Sequence, residues 1–291
     1  MSTPTDRTFP SRADLALIPV ELDEDGSSGS FVLTSGLARH DGAMYGGTGA
    51  AAAVMAMEAA TQRDALWVVT QFVAQAQTGE RVRWVVEPMA LGGRIAQLRV
   101  TGTAGDRIVF CALGATAHPR PGGLHGQYRT MPVVSPPDDS SRVRPGPPQV
   151  DPSQIGFHRK VEFREVAQPA GTASGSVLLW ARLTSGALVT RATVAFLADM
   201  IPLAVARAAG RMGAGFSLDN SLRFADVPPS EWVLLELTGQ VAVHGYGHGD
   251  VTVWSDDGSL IATGSQTASM TFLFDPDEVE ARRTLLGDAA T

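Results

Sequence analysis

The chain has 291 residues, a net charge of −7 at pH 7 and a single cysteine. Its composition is 44% hydrophobic and 18% charged, which is typical of a globular protein and excludes an intrinsically disordered chain. The excess of acidic residues disfavours a nucleic-acid-binding protein, and the lone Cys111 excludes a disulfide framework within the chain.

The sequence contains no segment that indicates insertion into a membrane. The first residues carry no apolar stretch like that of a secretory signal. The alanine-rich stretch at residues 50–60 is shorter than the roughly 18 residues of a membrane span, and it contains Glu58. We therefore predict a cytoplasmic protein with neither a membrane nor a nucleic acid as its partner.

The first half of the chain predicts one helix followed by four strands. The helix begins at Gly46 and ends near Arg63, because residues that favour helices follow a pair of glycines. Strand-like runs follow at residues 66–76, 81–90, 94–103 and 107–116. In the third run Ala96, Leu98 and Val100 alternate with polar residues, which is the pattern of a strand with one buried face.

The second half repeats this order of elements. A helix is predicted for residues 192–209, and strand-like runs follow at 216–224, 232–243, 249–255 and 259–272. The turn before the last strand recurs after about 150 residues, at Gly105-Asp106 and again at Asp257-Gly258, which indicates an internal duplication. Residues between the halves are rich in proline, which neither a helix interior nor a central strand accommodates.

These patterns predict an α+β protein built from two similar units. The N-terminal unit comprises residues 1–118, a Pro-rich linker comprises 119–153, and the C-terminal unit comprises 154–291. In each unit one long helix, apolar on nearly all sides, would lie in the concave face of a curled antiparallel sheet. The lengths agree, since a helix of about 17 residues spans about 25 Å and a strand of about 10 residues spans about 33 Å.

One acidic residue interrupts the second predicted helix. Asp199 lies in an otherwise apolar run, and its neighbours one helical turn away are all apolar. We predict a carboxylate that is at least half buried, and burial raises the pKa of a carboxyl group toward the range of a general base. Pro202 lacks the amide hydrogen that would bond to Ala198, so we expect an irregular helix here. A structural carboxylate bonded to backbone amides is the alternative interpretation.

Gln266 and Ser217 are two further polar residues in apolar surroundings. In the last predicted strand Gln266 shares its face with Ala268 and Met270, so its amide points into the core and needs a hydrogen-bond partner. That face would pack on the helix that carries Asp199. Strict alternation puts Ser217 on the face opposite the apolar residues, so periodicity alone does not bring Ser217 to the acid. Purely structural roles for both residues stay open at this point.

Motifs for cofactors and metals are weak. Residues 47–52 nearly match a dinucleotide-binding loop, but no clear strand precedes them and no acid follows about 20 residues later. His244 and His248 could share a strand face, but only Asp250 is spaced to act as a third metal ligand. Lys160, the only lysine, follows no glycine-rich loop. We therefore predict no cofactor and no bound metal.

Several short motifs occur in order along both halves. They are Tyr45-Gly46-Gly47, Trp180-Ala181-Arg182, Phe196-Leu197-Ala198-Asp199, Ser217-Leu218-Asp219-Asn220-Ser221, Glu231-Trp232-Val233-Leu234-Leu235, and Asp257-Gly258-Ser259-Leu260-Ile261-Ala262 followed by Gln266. Together they resemble the acyl-CoA thioesterase II family over residues 30–118 and 175–272. In that family each half is a hotdog, a long helix wrapped by a curled antiparallel sheet. The resemblance implies a tandem double hotdog and a role in fatty-acid metabolism.

The resemblance also implies a reaction and a set of site residues. It implies hydrolysis of an acyl-CoA, or of another pantetheine thioester, by water that an Asp, a Thr or Ser, and a Gln hold. Matched by motif, these residues are Asp199, Ser217 and Gln266, and Gly46 and Gly47 would bind the substrate through their amides. No acid lies about 150 residues before the catalytic Asp, so we expect one active site per chain.

Two other classes of function remain open from the sequence. Ser217 replaces the threonine that is usual in the family, and Asn220 stands where many members carry histidine, so a non-catalytic binder of acyl thioesters is one alternative. A hydratase or dehydratase on the same fold is disfavoured. Sequences that resemble such enzymes carry an Asp followed five residues later by a His, and this sequence has no such pair. The expected partner is a small-molecule substrate, and a homo-oligomer is compatible with a fold of this kind.

Overall fold

The computed structural model describes residues 8–143, 156–167 and 175–277. Within these ranges the α-helices are α1 (Arg12–Leu17), α2 (Gly46–Thr61), α3 (Arg191–Leu197) and α4 (Ile201–Ala208). The strands are β1 (Glu21–Leu22), β2 (Ser28–Val32), β3 (Asp64–Phe72), β4 (Arg81–Leu91), β5 (Ile95–Ala104), β6 (Arg107–Ala117), β7 (Ser141–Val143), β8 (Val161–Glu165), β9 (Ser176–Leu183), β10 (Met212–Ser217), β11 (Asp219–Phe224), β12 (Val233–Val243), β13 (Tyr246–Ser255) and β14 (Leu260–Phe274).

All of these strands belong to one sheet whose pairings in the described residues are antiparallel. The order is β1-β2-β4-β5-β6-β3-β11-β14-β13-β12-β9-β8-β7, and β10 also pairs with β14. Read outward from the centre, β3-β6-β5-β4 of the first half mirrors β11-β14-β13-β12 of the second half. We call the central β3–β11 pairing the seam; it sets Thr70 opposite Asn220 and Val69 opposite Ser221. Such a mirrored order is what an internal duplication produces.

The core lies between the sheet and the helices. α2 packs on strands β2 to β6 of the first half, and α4 packs on β9, β10, β12, β13 and β14 of the second half. Every residue from Gly47 to Ala59 is buried, so α2 is enclosed on all sides, as its composition predicts. α2 also packs on α3, so the two halves touch through helices as well as through the seam. No helix in the described residues is long and apolar enough to span a membrane.

The second-half helix is interrupted close to where the sequence predicts. α3 ends at Leu197 and α4 begins at Ile201, with Pro202 in the first turn of α4, where a helix needs no amide hydrogen from it. Asp199 lies in the break between the two helices. The predicted irregularity is confirmed, and the helix predicted for residues 192–209 consists of two helices separated by residues 198–200.

The strand predicted for residues 216–224 is divided as well. β10 ends at Ser217 and β11 begins at Asp219, and Leu218 between them is 39% exposed. Its amide donates to the carbonyl of Thr267, and its carbonyl accepts from the amide of Phe72, each over 2.9 Å. Strict alternation therefore fails at Leu218, and the prediction that Ser217 points away from the core is wrong.

Several elements have no counterpart in the predictions. α1, β1, β2, β8 and β9 were not expected; β9 is a nearly continuous apolar run, which lacks the alternation that identifies a half-buried strand. β7 lies inside the predicted linker and pairs with β8. The indole Nε1 of Trp180 donates to the carbonyl of Ser135 over 2.9 Å, so this segment packs on the second-half sheet. The three predicted segments and the two boundaries between them stay predictions, and residues 144–155 lie outside the described ranges.

Candidate active site

Asp199 is a buried carboxylate with a raised pKa. It is 4% exposed, and burial raises its pKa from 3.8 to about 6. Polar hydrogens on Ser217, the backbone amide of Gly47, Gln266 and Asn220 lie near the carboxylate, act in the opposite direction and keep the pKa from rising further. A carboxyl group with this pKa is about nine-tenths ionised at pH 7, so Asp199 can serve as a base.

Three side chains from separate elements meet at this carboxylate. Ser217 Oγ, at the end of β10, donates to Asp199 Oδ1 over 2.8 Å. Gln266 Nε2, in β14, donates to Ser217 Oγ over 2.6 Å and also to Asp199 Oδ1. β10 and β14 are paired with Ser217 opposite Ala268, which places Gln266 close to Ser217. The structure thus brings the three predicted catalytic residues into direct contact.

The first half of the chain forms one wall of this site with the N-terminus of α2. A Cβ on Gly46 would lie 2.5 Å from Asp199 Oδ2 and 3.2 Å from the Cβ of Ser217. A Cβ on Gly47 would collide with the backbone carbonyl of Phe196. Glycine is therefore the residue that fits at both positions without a shift of its neighbours, and the backbone amide of Gly47 in the first helical turn faces the carboxylate.

Tyr45 joins the two halves beside the site. Its hydroxyl donates to the backbone carbonyl of Asp199 over 3.0 Å. Its ring stacks on Phe157 with centroids 3.8 Å apart and meets Phe196 edge-on at 5.2 Å. Burial raises the pKa of Tyr45 well above its ordinary value, so the hydroxyl stays a neutral donor. Tyr45 fixes the helix break at Asp199, a role that the sequence motif did not reveal.

The sequence analysis missed a second buried carboxylate, Glu58 in α2. It is 2% exposed, its Oε1 accepts from the amide of Ala65 over 2.9 Å, and burial raises its pKa to about 8. The duplication sets residues 47–51 as the counterpart of Asp199, whereas Glu58 lies about two helical turns later. The sequence feature that indicates this buried carboxylate is an acidic residue within an alanine-rich helix. The charged groups that influence it are Arg191, Asp14 and Asp64.

The weak metal motif does not develop into a metal centre in the described parts of the chain. Within residues 8–143, 156–167 and 175–277, no three His, Cys, Asp or Glu side chains lie close enough together to hold a metal ion. His248 Nδ1 hydrogen-bonds to Thr267 Oγ1 over 3.0 Å. His244 has a φ of 50° and forms, with Gly245, the turn between β12 and β13.

The chain is similar to known thioesterases in sequence and in structure. Residues 136–270, just under half of the chain, match the family model of the acyl-CoA thioesterase C-terminal domain. A candidate thioesterase from Novosphingobium aromaticivorans has a similar structure, with a TM-score of 0.78 and 29% identity over 86% of this chain and 98% of that chain. A comparison with curated proteins finds no match.

Two further solved structures resemble the chain at lower identity. One is a hotdog-fold protein of unknown function from Alicyclobacillus acidocaldarius, with a TM-score of 0.75 and 19% identity over 91% of this chain and 99% of that chain. The other is the acyl-CoA thioesterase II TesB2 from Mycobacterium marinum, with a TM-score of 0.68 and 18% identity over 89% of this chain and 98% of that chain. The resemblance to the acyl-CoA thioesterase family and the expected hotdog-like α+β fold are confirmed.

Proposed function

We propose that the protein is a thioesterase that hydrolyses an acyl-CoA, or another pantetheine thioester, to a free acid and a thiol. The observation that carries the proposal is the buried cluster of Asp199, Ser217 and Gln266. Both neighbours bind Oδ1 of the carboxylate, whereas Oδ2 is buried and has no hydrogen-bond partner. An ionised carboxylate oxygen held in this way is available to accept a proton from water.

Asp199 acts as the general base in the proposed reaction. Water loses a proton to Asp199 Oδ2 while its oxygen attacks the carbonyl carbon of the thioester. The tetrahedral intermediate then breaks its C–S bond, and the protonated Asp199 returns the proton to the leaving sulfur. A pKa of about 6 suits both steps, because the group is mostly ionised at pH 7 and its acid form protonates a thiolate readily.

Ser217 and Gln266 orient the base, and the glycines contact the substrate. Two donors on Oδ1 fix the plane of the carboxylate, so that Oδ2 faces the space beside Gly46. The oxyanion that forms on the thioester needs donors that are already in place. The amide of Gly47 faces the carboxylate, and we assign the amide of Gly46 to the thioester oxygen.

We also propose a tandem hotdog fold, a route for the substrate and a cellular location. Each half is a hotdog and the chain a tandem of two, which the mirrored strand order around the seam supports. Ser217 is only partly buried, so a small-molecule substrate reaches the site from that side. A cytoplasmic location and a role in fatty-acid metabolism follow from an acyl-CoA substrate, and no cofactor enters the proposed steps.

Thiol release from a series of short-, medium- and long-chain acyl-CoAs tests the proposal. We expect the parent to release thiol and Asp199→Asn to release none above background, because the amide cannot accept the proton. Glu58→Gln is the matched control, since it replaces a buried carboxyl group of similar exposure outside the site with an amide. Tight binding of acyl-CoA by the parent without release would refute hydrolysis and favour a non-catalytic binding protein.

A further inference from the structure

Three more buried polar atoms without a hydrogen-bond partner accompany Asp199 Oδ2. They are Asn220 Nδ2, Gln266 Oε1 and Thr70 Oγ1. The residues are 1%, 2% and 0% exposed, respectively. A buried polar group without a partner is unfavourable, and several of them in one place indicate a bound polar molecule that satisfies them together.

The register of the sheet puts these residues in one row across the seam. Thr70 of β3 lies directly opposite Asn220 of β11. On the other side of β11, Ser221 pairs with Ser265 of β14, and their hydroxyls hydrogen-bond over 2.9 Å. In this antiparallel register the next opposed pair is Asn220, which precedes Ser221, and Gln266, which follows Ser265. Because successive side chains of a strand alternate between faces, this pair shares the opposite face of the sheet. That inner face is the one against which the carboxylate lies.

The polar atoms in this row are complementary to a single water molecule. Asp199 Oδ2 and Gln266 Oε1 are acceptors, and Asn220 Nδ2 is a donor. A water that donates one hydrogen to each acceptor and accepts one from the amide has used three of its four hydrogen-bonding positions. Its second lone pair stays free for attack on a carbonyl carbon.

We propose that Asn220 is a fourth catalytic residue, whose Nδ2 holds the attacking water against Asp199 Oδ2 and Gln266 Oε1. The inference rests on the proposed thioester hydrolysis and deepens it. We assign Thr70 a positioning role: it lies directly across the seam from Asn220, and its buried hydroxyl, which has no hydrogen-bond partner in the protein, would bond to the amide when the water is held. The water site is therefore built from both halves.

The side chain of Asn220 also acts on the base itself. It is one of the groups that lower the pKa of Asp199 against the effect of burial. Tyr45 is a second titratable group beside this carboxylate, and because its pKa lies well above its ordinary value it stays neutral over the working range. A change in the acidic limb of the pH profile therefore reports on Asp199.

Two substitutions of Asn220 test the proposal by steady-state kinetics between pH 5 and pH 8. Asn220→Leu removes the donor at similar volume, and Asn220→Asp replaces it with a second carboxylate. We expect kcat to fall by about 10- to 100-fold in both, with KM within about twofold of the parent, because the lost contact is to the water and not to the substrate. The acidic limb should move to higher pH, and further in Asn220→Asp, where the charges repel.

The control and the positioning residue complete the design. Ser221→Ala changes the neighbouring residue on the outer face and should leave kcat and the pH profile unchanged. Thr70→Val should lower kcat, and Thr70→Ser, which restores a hydroxyl, should recover most of it. Urea denaturation of each variant identifies any that fails to fold. If an Asn220 variant fails to fold, the two Thr70 variants still test the proposal.

The outcomes separate this inference from the proposed function. If the parent releases thiol and Asp199→Asn does not, hydrolysis stands. In that case an unchanged kcat and acidic limb in Asn220→Leu and Asn220→Asp would overturn the role of Asn220 alone. Absence of thiol release by the parent would refute the proposed function, and the inference with it.

Discussion

Replacing Asp199 with asparagine is expected to stabilise the folded chain at neutral pH while it abolishes hydrolysis. The unfolded chain releases this proton near pH 3.8, whereas burial holds it until about pH 6 in the folded chain. Between these values the folded state binds more protons than the unfolded state, so the free energy of unfolding falls as pH rises. This decrease in the free energy of unfolding is complete above about pH 6. A chain with asparagine at this position does not show the decrease, because asparagine does not ionise.

The size of the effect follows from the pKa shift. A rise from 3.8 to about 6 corresponds to about 3 kcal/mol at pH 7. Part of this is offset, because hydrogen bonds from Ser217 and Gln266 to a neutral amide oxygen are weaker than those to a carboxylate. We expect Asp199→Asn to gain about 1 to 3 kcal/mol at pH 7 and almost nothing at pH 4.

Urea denaturation of the parent and of Asp199→Asn from pH 4 to pH 8 measures this difference. The stability gained by the variant over the parent should be near zero at pH 4, rise through pH 5 and reach a plateau above about pH 6. A variant that is less stable than the parent at pH 7, or a difference that does not depend on pH, would refute a buried, ionised carboxylate at this position.

Four further expectations can be checked on the same material. The kcat/KM of the parent should decline below about pH 6 as Asp199 takes up a proton, and a profile that stays flat down to pH 5 would contradict its role as base. Gly46→Ala should lower hydrolysis sharply and stability by about 1 to 3 kcal/mol, since the new Cβ would lie 2.5 Å from Oδ2; parental kinetics and melting would show that the carboxylate moves aside. Glu58→Gln should raise the free energy of unfolding at pH 7 but not at pH 4, because burial raises the pKa of Glu58 to about 8, and an equal effect at both pH values would argue against this. Lys160→Met should cost about 1 to 2 kcal/mol in urea denaturation, because Nζ donates to two backbone carbonyls at the end of α1, and a neutral result would show that these bonds add no stability.

The buried acid and the buried amide were predictable from the sequence because each one violates an apolar pattern. Asp199 and Gln266 stand in runs that otherwise consist of apolar or small residues, and a polar residue in such a run is more informative than the apolar residues around it. The predicted break in the helix depended on Pro202, whose missing amide is a local property. Features that depend on one residue and its near neighbours could therefore be predicted.

The environment of Ser217 and Asn220 could not be predicted in the same way. Alternation predicts a face only while a strand is continuous, and the strand is interrupted at Leu218. The interruption is held by bonds to Thr267 and Phe72, which are distant in sequence. For Ser217 the family resemblance indicated the right position where periodicity indicated the wrong one. Long-range pairing of this kind leaves no local signal.

The seam has a consequence for any attempt to divide the chain. Gly46 and Thr70 belong to one half, whereas Asp199, Asn220 and Gln266 belong to the other. Two fragments cut within the Pro-rich linker would each lack part of the water site and would each expose a bare sheet edge at β3 or β11. Turnover would then depend on fragment complementation, and at low concentration its rate would rise with the product of the two fragment concentrations.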